Sequence, residues 1–255
     1  MLELCNITKS YNGHQILNNI NVNFRKKEFV SIIGPSGSGK TTLLNIIGGL
    51  DKQDKGDFFI NGKTTKKYKD KDYDKYRNKK VSFVFQNYNL INHLNILQNI
   101  ELSLTIKGIN KKERTKLSKE ALNKVGLEDY YYKKPYELSG GEQERVAIAR
   151  AIVNDSDIIL ADEPTGALDP DNSLMIIKYF KELSKYKLVI MVTHNTELAY
   201  KYSDRVIELR KGEIISDTDP YEEEVNRLIN KSIPSTIEVL PKEEASKLGA
   251  KAFFS

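Results

Sequence analysis

Phe29-Val-Ser-Ile-Ile-Gly-Pro-Ser-Gly-Ser-Gly-Lys-Thr41 is the stretch on which the reading of this chain turns. Its first five residues form a short, β-branched apolar run suited to a buried strand. Gly34, four residues and then Gly39-Lys40-Thr41 follow at once. Leu43, Leu44, Ile46 and Ile47 recur at helical spacing until Gly48-Gly49 closes the pattern. Strand, glycine turn and helix in that order make a phosphate cradle. Glycines let successive backbone N–H groups turn toward one anion, and the helix dipole adds positive charge at the same end. In such a loop Lys40 would reach the β- and γ-phosphates of a nucleotide, and the Thr41 hydroxyl would ligate Mg2+. A glycine turn that merely caps a helix is the plainer reading, and the flanking strand and helix argue against it.

Two more segments point to an anion. Ile158-Ile-Leu-Ala-Asp-Glu163 sets two carboxylates just beyond a buried apolar run. Ligands of parallel α/β sheets bind beyond the carboxyl ends of the strands, so both acids are expected near the phosphate loop. Asp162 would hold Mg2+ directly or through water, and Glu163 would accept hydrogen bonds from the attacking water. Leu138-Ser-Gly-Gly-Glu142 is a capping box before an amphipathic run, which accounts for Ser139 and Glu142. It does not account for Gly140 and Gly141, each costing about 1 kcal/mol relative to alanine inside a helix. Glycines at a helix start let a ligand approach the backbone, so Ser139 to Glu142 is expected to form a second anion site. If one chain holds the two sites too far apart for one γ-phosphate, a second copy must supply the other.

Around these motifs the chain reads as α/β. Strands are expected over 2–7 and 19–33, at Asp57 to Ile60 before an Asn61-Gly62 hairpin turn, and at Val81 to Phe85. Helical periodicity covers Asn95 to Ile106, Lys111 to Val125 and Gly140 to Val153, with Asn95 and Asn110 as caps. Strands near 157–161, 188–192, 205–209 and 213–215 then alternate with helices near 171–185 and from Asn195. That alternation implies a largely parallel core with a helical insert. In the tail, Val225, Leu228 and Ile229 would line one helix face, while Pro234 and Pro241 interrupt regular structure.

With 255 residues, 39% hydrophobic and 29% charged, the chain can bury a core without staples and is ordinary for a soluble protein. Apolar runs such as 158–161 and 189–192 are far too short to span a bilayer. No basic region followed by an apolar stretch opens the sequence, so the chain is expected to stay in the cytoplasm. The single Cys5 lies in an alternating segment and is expected to be a buried small hydrophobe. Charge is uneven: residues 217–255 carry −3 of a net +5, leaving +8 for residues 1–216. Lys63 to Lys80 holds nine Lys/Arg and three Asp, and Lys107 to Lys134 holds nine Lys/Arg and four acids. Interspersed acids and the lack of a regular aromatic pattern favour a solvated surface over a nucleic-acid or lipid face.

Taken together these residues resemble the ATP-binding cassette (ABC) ATPases, over residues 1 to about 216. Gly34, Pro35, Ser36, Gly37, Ser38, Gly39, Lys40 and Thr41 look like the Walker A loop, with Thr42 beside it. Leu138 to Glu142 looks like the family signature (Ser139, Gly140, Gly141 and Glu142 on ATP), Ile158 to Asp162 like Walker B, and Glu163 like the catalytic glutamate. The resemblance implies that Tyr11 stacks on adenine, that Gln86 touches Mg2+ and water, and that His194 contacts the γ-phosphate. It makes Ala167-Leu168-Asp169 the loop that crosses a dimer interface. Lys40, Gln86, Glu163 and His194 would then be catalytic, and Thr41, Gln86 and Asp162 would hold the metal.

The implied fold is an α/β P-loop NTPase core (1–86 and 154–216) with a mostly parallel sheet, an antiparallel β subdomain and an inserted α-helical subdomain (87–153). An acidic extension (217–255) lies outside the common core. ATP and Mg2+ would be the ligands, a second copy and an integral-membrane permease the partners, and the cytoplasmic face of the cell membrane the location. Phe83 to Ile100 and Thr165 to Asp169 look most like the branch of lipoprotein-release, macrolide-export, antimicrobial-peptide-resistance and cell-division ATPases. Glu142 stands where many relatives carry Gln, and Gln98 where Glu is frequent. Export is the leading expectation. An importer stays open, and so does a nucleic-acid-associated cassette. Only 96 residues separate Thr41 from Leu138, too few for the coiled-coil insert of repair and chromosome relatives, and no nucleic-acid partner is expected.

Overall fold

Alternation along the central strands sorts the core into two layers. In the computed structural model, which describes residues 1–166, 168–219 and the backbone of 238–239, β3 (Glu28–Ile33), β7 (Ile158–Asp162) and β8 (Leu188–Thr193) are buried on both faces up to the half-buried Asp162. Central strands of a parallel sheet require this, because helices or a second sheet cover each face. One set, including Val30, Ile32, Ile158, Leu160, Ile190 and Val192, packs on the apolar face of helix α1 (Lys40–Ile47) and on a smaller sheet. The other, including Phe29, Ile159, Ala161, Val189 and Met191, packs with residues of later helices. Each fully buried Leu, Ile or Phe contributes roughly 1.5–3 kcal/mol, so a one-residue slip would forfeit the whole set.

The large sheet runs in the order β11-β10-β9-β3-β8-β7-β6. Here β6 is Val81–Val84, β9 Arg205–Arg210, β10 Glu213–Asp217 and β11 Glu238–Val239. β6, β7, β8, β3 and β9 are parallel, and β10 returns antiparallel to β9. The smaller sheet, of order β2-β1-β4-β5, is antiparallel: β1 (Leu2–Tyr11), β2 (His14–Phe24), β4 (Lys55–Ile60) and β5 (Lys63–Thr64). Asn61 (φ 49°) and Gly62 (φ 75°) join β4 to β5, both at the positive φ that a primed two-residue hairpin turn demands.

The structure corrects three sequence expectations and adds one helix. The single strand over 19–33 is two strands, since residues up to Phe24 belong to the small sheet and those from Glu28 to the large one. Arg25 turns between them, and its backbone N–H donates to the buried Glu28 carboxylate at 2.7 Å. The basic run 63–80 contains helix α2 (Asp70–Lys80), which the charge density concealed: only Tyr73 and Tyr76 are buried from it. β1 continues past residue 7 to Tyr11, carried through a left-handed Asn6 (φ 52°). Cys5 is half-buried, not buried, with its Sγ 3.3 Å from Glu3 Oε1.

Helices α3 (Ile96–Ile106), α4 (Lys111–Lys124) and α5 (Gly140–Val153) follow β6, with short 3-10 turns at Glu128–Tyr130 and Pro135–Glu137. Asn95 and Asn110 cap α3 and α4 as the pattern predicts, their side chains accepting from the N–H groups of Gln98 (2.8 Å) and Glu113 (3.1 Å). From α5, Arg150 donates to the carbonyl oxygens of Tyr88 and Asn89, each at 2.7 Å. Both lie at positive φ, so Arg150 holds a backbone conformation that side chains disfavour. Helices α6 (Pro170–Ser184) and α7 (Thr196–Tyr202) complete the alternation. β10 runs through Asp217, whose carboxylate pairs with buried Arg205 at 2.5 Å. From residue 220 onward the expected acidic extension, apart from the 238–239 backbone, lies outside the described residues. Among the described residues no helix is long and apolar enough to cross a membrane.

Candidate functional site

β3 ends against the loop 34–39 because nothing larger than glycine fits at its first position. A Cβ on Gly34 would stand 2.0 Å from the Leu209 carbonyl oxygen, and its φ is 153°. At the other end Gly39 (φ 101°) leads into α1 in a left-handed conformation, with no side chain capping the helix. The loop is therefore pinned against β9 while the helix start is left to the backbone. Lys40, 8% exposed, folds over the loop and donates to the carbonyl oxygens of Gly34 (2.9 Å) and Pro35 (3.0 Å). Ser38 is buried, its carbonyl accepting from the Gly212 N–H at 3.0 Å.

Next to this loop lies a cavity of about 480 Å3. Ser36, Gly37, Gly39, Lys40, Thr41 and Thr42 form one wall, Tyr11 and Ile16 a second, and Gln86, Glu163 and His194 a third. β6 delivers Gln86 and β7 delivers Glu163, both from carboxyl ends of parallel strands, as the sheet geometry requires. Glu163 sits at φ 48°, its N–H bonded to the Val192 carbonyl at 3.0 Å. Its Oε2 meets the His194 Nδ1 at 2.9 Å and accepts from the His194 backbone N–H at 3.2 Å. With Nδ1 engaged by the carboxylate, Nε2 is the ring's second contact point.

Asp162 stands one residue before Glu163, where its Oδ1 accepts from the Thr41 hydroxyl at 3.1 Å. Burial pushes the Asp162 carboxyl above its ordinary range, and the Thr41 hydrogen bond only partly opposes this. A half-buried carboxylate beside a hydroxyl is a donor set of hard oxygens whose charge calls for a cation. This suits Mg2+, which takes one or two protein oxygens and fills its octahedron with water and phosphate oxygens. The residues present thus fit that metal.

The remaining expected residues lie elsewhere. Ser139 caps α5: its hydroxyl lies 2.8 Å from Glu142 Oε2 and 3.3 Å from the Glu142 N–H, and its own N–H donates to Oε2 at 2.7 Å. Against the penalty of burial, these bonds hold the Glu142 carboxyl below its usual range. Asp169 caps α6, accepting from the Asn172 N–H (2.9 Å) and side chain (2.6 Å). Asn172 accepts in turn from Arg145 at 3.0 Å and lies against Gly141, which joins the two helix starts. Among the described residues, none from Ser139 to Glu142, nor Asp169, lines the cavity.

Sequence reasoning passed over Ile16, which has no motif around it, and Asp51 and Lys9, which brace Tyr11 from outside the cavity. The Tyr11 hydroxyl donates to Asp51 Oδ2, and Lys9 Nζ donates to Asp51 Oδ1 at 2.7 Å. No spacing rule links residue 9 to residue 51.

Comparison with known proteins places this arrangement. The model of the ABC transporter family matches residues 17–166. The ABC transporter ATP-binding protein MJ0796 of Methanocaldococcus jannaschii is 46% identical over 224 residues, 84% of this chain and 95% of that protein. The macrolide export ATP-binding/permease protein MacB of Campylobacter jejuni is 41% identical over 235 residues, 92% of this chain but 36% of that longer protein. A dimeric structure of the MJ0796 cassette in a post-hydrolysis state, bound to ADP and Pi, superposes with a TM-score of 0.80 at 43% identity, covering 85% of this chain and 97% of that one.

Proposed function

The chain belongs to the ABC transporter family as one of its ATP-hydrolysing cassettes, and on that premise we propose that two copies clamp ATP and drive an export-type membrane permease. The carrying observation is the single cavity that joins the lysine-bearing loop, Gln86, Glu163 and His194. Backbone N–H groups of the loop cradle the phosphates, and Lys40 exchanges its two carbonyl partners for phosphate oxygens. Thr41, Asp162 and Gln86 would hold Mg2+, which when bound neutralises charge building between the β- and γ-phosphates. Glu163 accepts a hydrogen bond from the water that attacks the γ-phosphorus, and His194 contacts a γ-phosphate oxygen while orienting Glu163. Tyr11 receives the base.

Ser139 and the two glycines behind it complete the phosphate site from the partner copy, since within one chain they do not line the cavity. The dimeric MJ0796 structure supports this assembly. The MacB relative is named an ATP-binding/permease protein for macrolide export, which supports a permease partner and an outward direction of transport. The chain would then work at the cytoplasmic face of the membrane, with residues 87–153 turned to the permease.

The purified chain should release phosphate from ATP, while Glu163→Gln should lose turnover by about 100- to 1,000-fold and elute at twice the monomer mass in millimolar ATP. A Glu163→Gln chain that stays monomeric, or that keeps full turnover, would overturn the reading.

A further inference from the structure

Tyr11 is the last residue of β1, and the residue is 42% exposed at the edge of the cavity. An exposed ring at a strand end ordinarily keeps its rotamer freedom, and a base stacking on it would have to freeze that freedom. Here the ring is already tied. After α1 the Gly48-Gly49 turn brings Asp51 back beneath β1, where one carboxylate oxygen accepts the Tyr11 phenol and the other accepts Lys9 Nζ at 2.7 Å. Lys9 is only 8% exposed. It also donates to the Lys52 carbonyl at 2.7 Å, and its Nζ stands 5.0 Å from the centroid of the Tyr11 ring. The ammonium thus stands over a ring that belongs to a residue lining the cavity.

We propose that Lys9 and Asp51 are positioning residues that lock the Tyr11 ring as a preformed stacking wall, and thereby set how strongly the cavity prefers a nucleoside triphosphate to a bare phosphate chain. This rests on the reading of the cavity as a nucleotide site. Three features support it. The phenol–carboxylate bond fixes the ring plane, so stacking loses less conformational entropy. The lysine charge over the ring is an attractive cation–π contact that helps hold the ring in place. Donor and acceptor keep their roles at neutral pH: burial and the Asp51 charge push the Tyr11 phenol up, while hydrogen bonds from Lys9, Tyr11 and the Lys52 N–H outweigh burial and hold Asp51 down. An ordinary surface ion pair would not need a nearly buried lysine whose charge meets a phenol's partner and the same phenol's ring.

The test is calorimetric titration of the whole chain with ATP and, separately, with inorganic tripolyphosphate. Asp51→Asn and Tyr11→Phe should each weaken ATP binding by about three- to tenfold and leave tripolyphosphate binding unchanged. Their combination should be no worse than either alone, because both cut the same bond. Lys9→Met, which keeps the apolar stem, should act in the same direction. Equal losses for both probes, or an Asp51→Asn effect that persists undiminished in a Tyr11→Ala chain, would overturn the proposal as mere strand stability. If Tyr11→Ala weakens ATP while Asp51→Asn and Tyr11→Phe do not, the lock fails and the nucleotide site stands. If the unaltered chain binds neither probe, both fall.

Discussion

Helices α1 and α5 both begin in glycines that the sequence marks for an anion, yet their first turns are built in opposite ways. At α1 no side chain caps the helix, and the loop in front of it is pinned by the Gly34 contact with Leu209. At α5 the capping box is complete, with Ser139 and Glu142 satisfying each other's groups. The residues of the first terminus line the cavity, whereas the second terminus is capped within its own chain and lies off that wall. A helix start left to its backbone is prepared for a ligand in the monomer. A self-capped start can take a phosphate only when a partner delivers one and the Ser139 hydroxyl exchanges its bond.

The largest effect should come from breaking the α1 side. Lys40→Ala should lower ATP turnover by about 100- to 1,000-fold, because on the proposed reading its charge is aimed at the transferred phosphate and has no substitute; initial-rate phosphate release measures it. Next comes the body of α5, where Glu144 is buried and its Oε1 has no hydrogen-bond partner. Burial raises its carboxyl from the ordinary 4.5 to about 8, against the opposing charge of Arg150. The fold therefore binds this proton more tightly than the unfolded chain does. Its contribution is complete below the ordinary value and is lost as pH rises toward about 8. Glu144→Gln, a neutral isostere, should raise stability at pH 8 by about 1–3 kcal/mol and change little at pH 4.5. Thermal melts across that range would show whether the slope disappears.

Smaller changes sharpen the contrast at the α5 tip. Ser139→Ala should cost about 1 kcal/mol of stability by removing a cap. It should also reduce ATP-dependent dimer formation while leaving the monomer's ATP affinity intact; a matching loss of monomer affinity would put Ser139 in the same-chain site. Smallest of all, Glu142→Gln removes an ionised carboxylate from the proposed seat of the partner's phosphate. It should tighten ATP-dependent dimerisation by about two- to fivefold, as expected for one partly screened charge, read by analytical ultracentrifugation at two salt concentrations.

Much of this molecule is legible in short windows of sequence. Phe29–Thr41 announces strand, loop and helix because the buried strand, the glycine spacing and the apolar repeat are all local. Asn95, Asn110 and Ser139 declare their caps for the same reason, since a cap and its N–H partner are three residues apart. Helix α2 escaped notice because its apolar face is reduced to Tyr73 and Tyr76 among nine basic residues over 63–80. The strand over 19–33 was misread because periodicity reports that a residue is buried, not which of two sheets buries it.

Sequence alone therefore determined the phosphate loop, the acid pair and the class of fold, because each depends on residue types at fixed short spacing. Tertiary structure alone decided that Glu163 meets His194, that Arg150 holds the turn after Gln86, that Asp51 and Lys9 brace Tyr11, and that Ser139 lies off the cavity. These contacts join residues 31 to 62 apart, and which distant pairs meet is set by how strands and helices pack, a choice that no local pattern encodes.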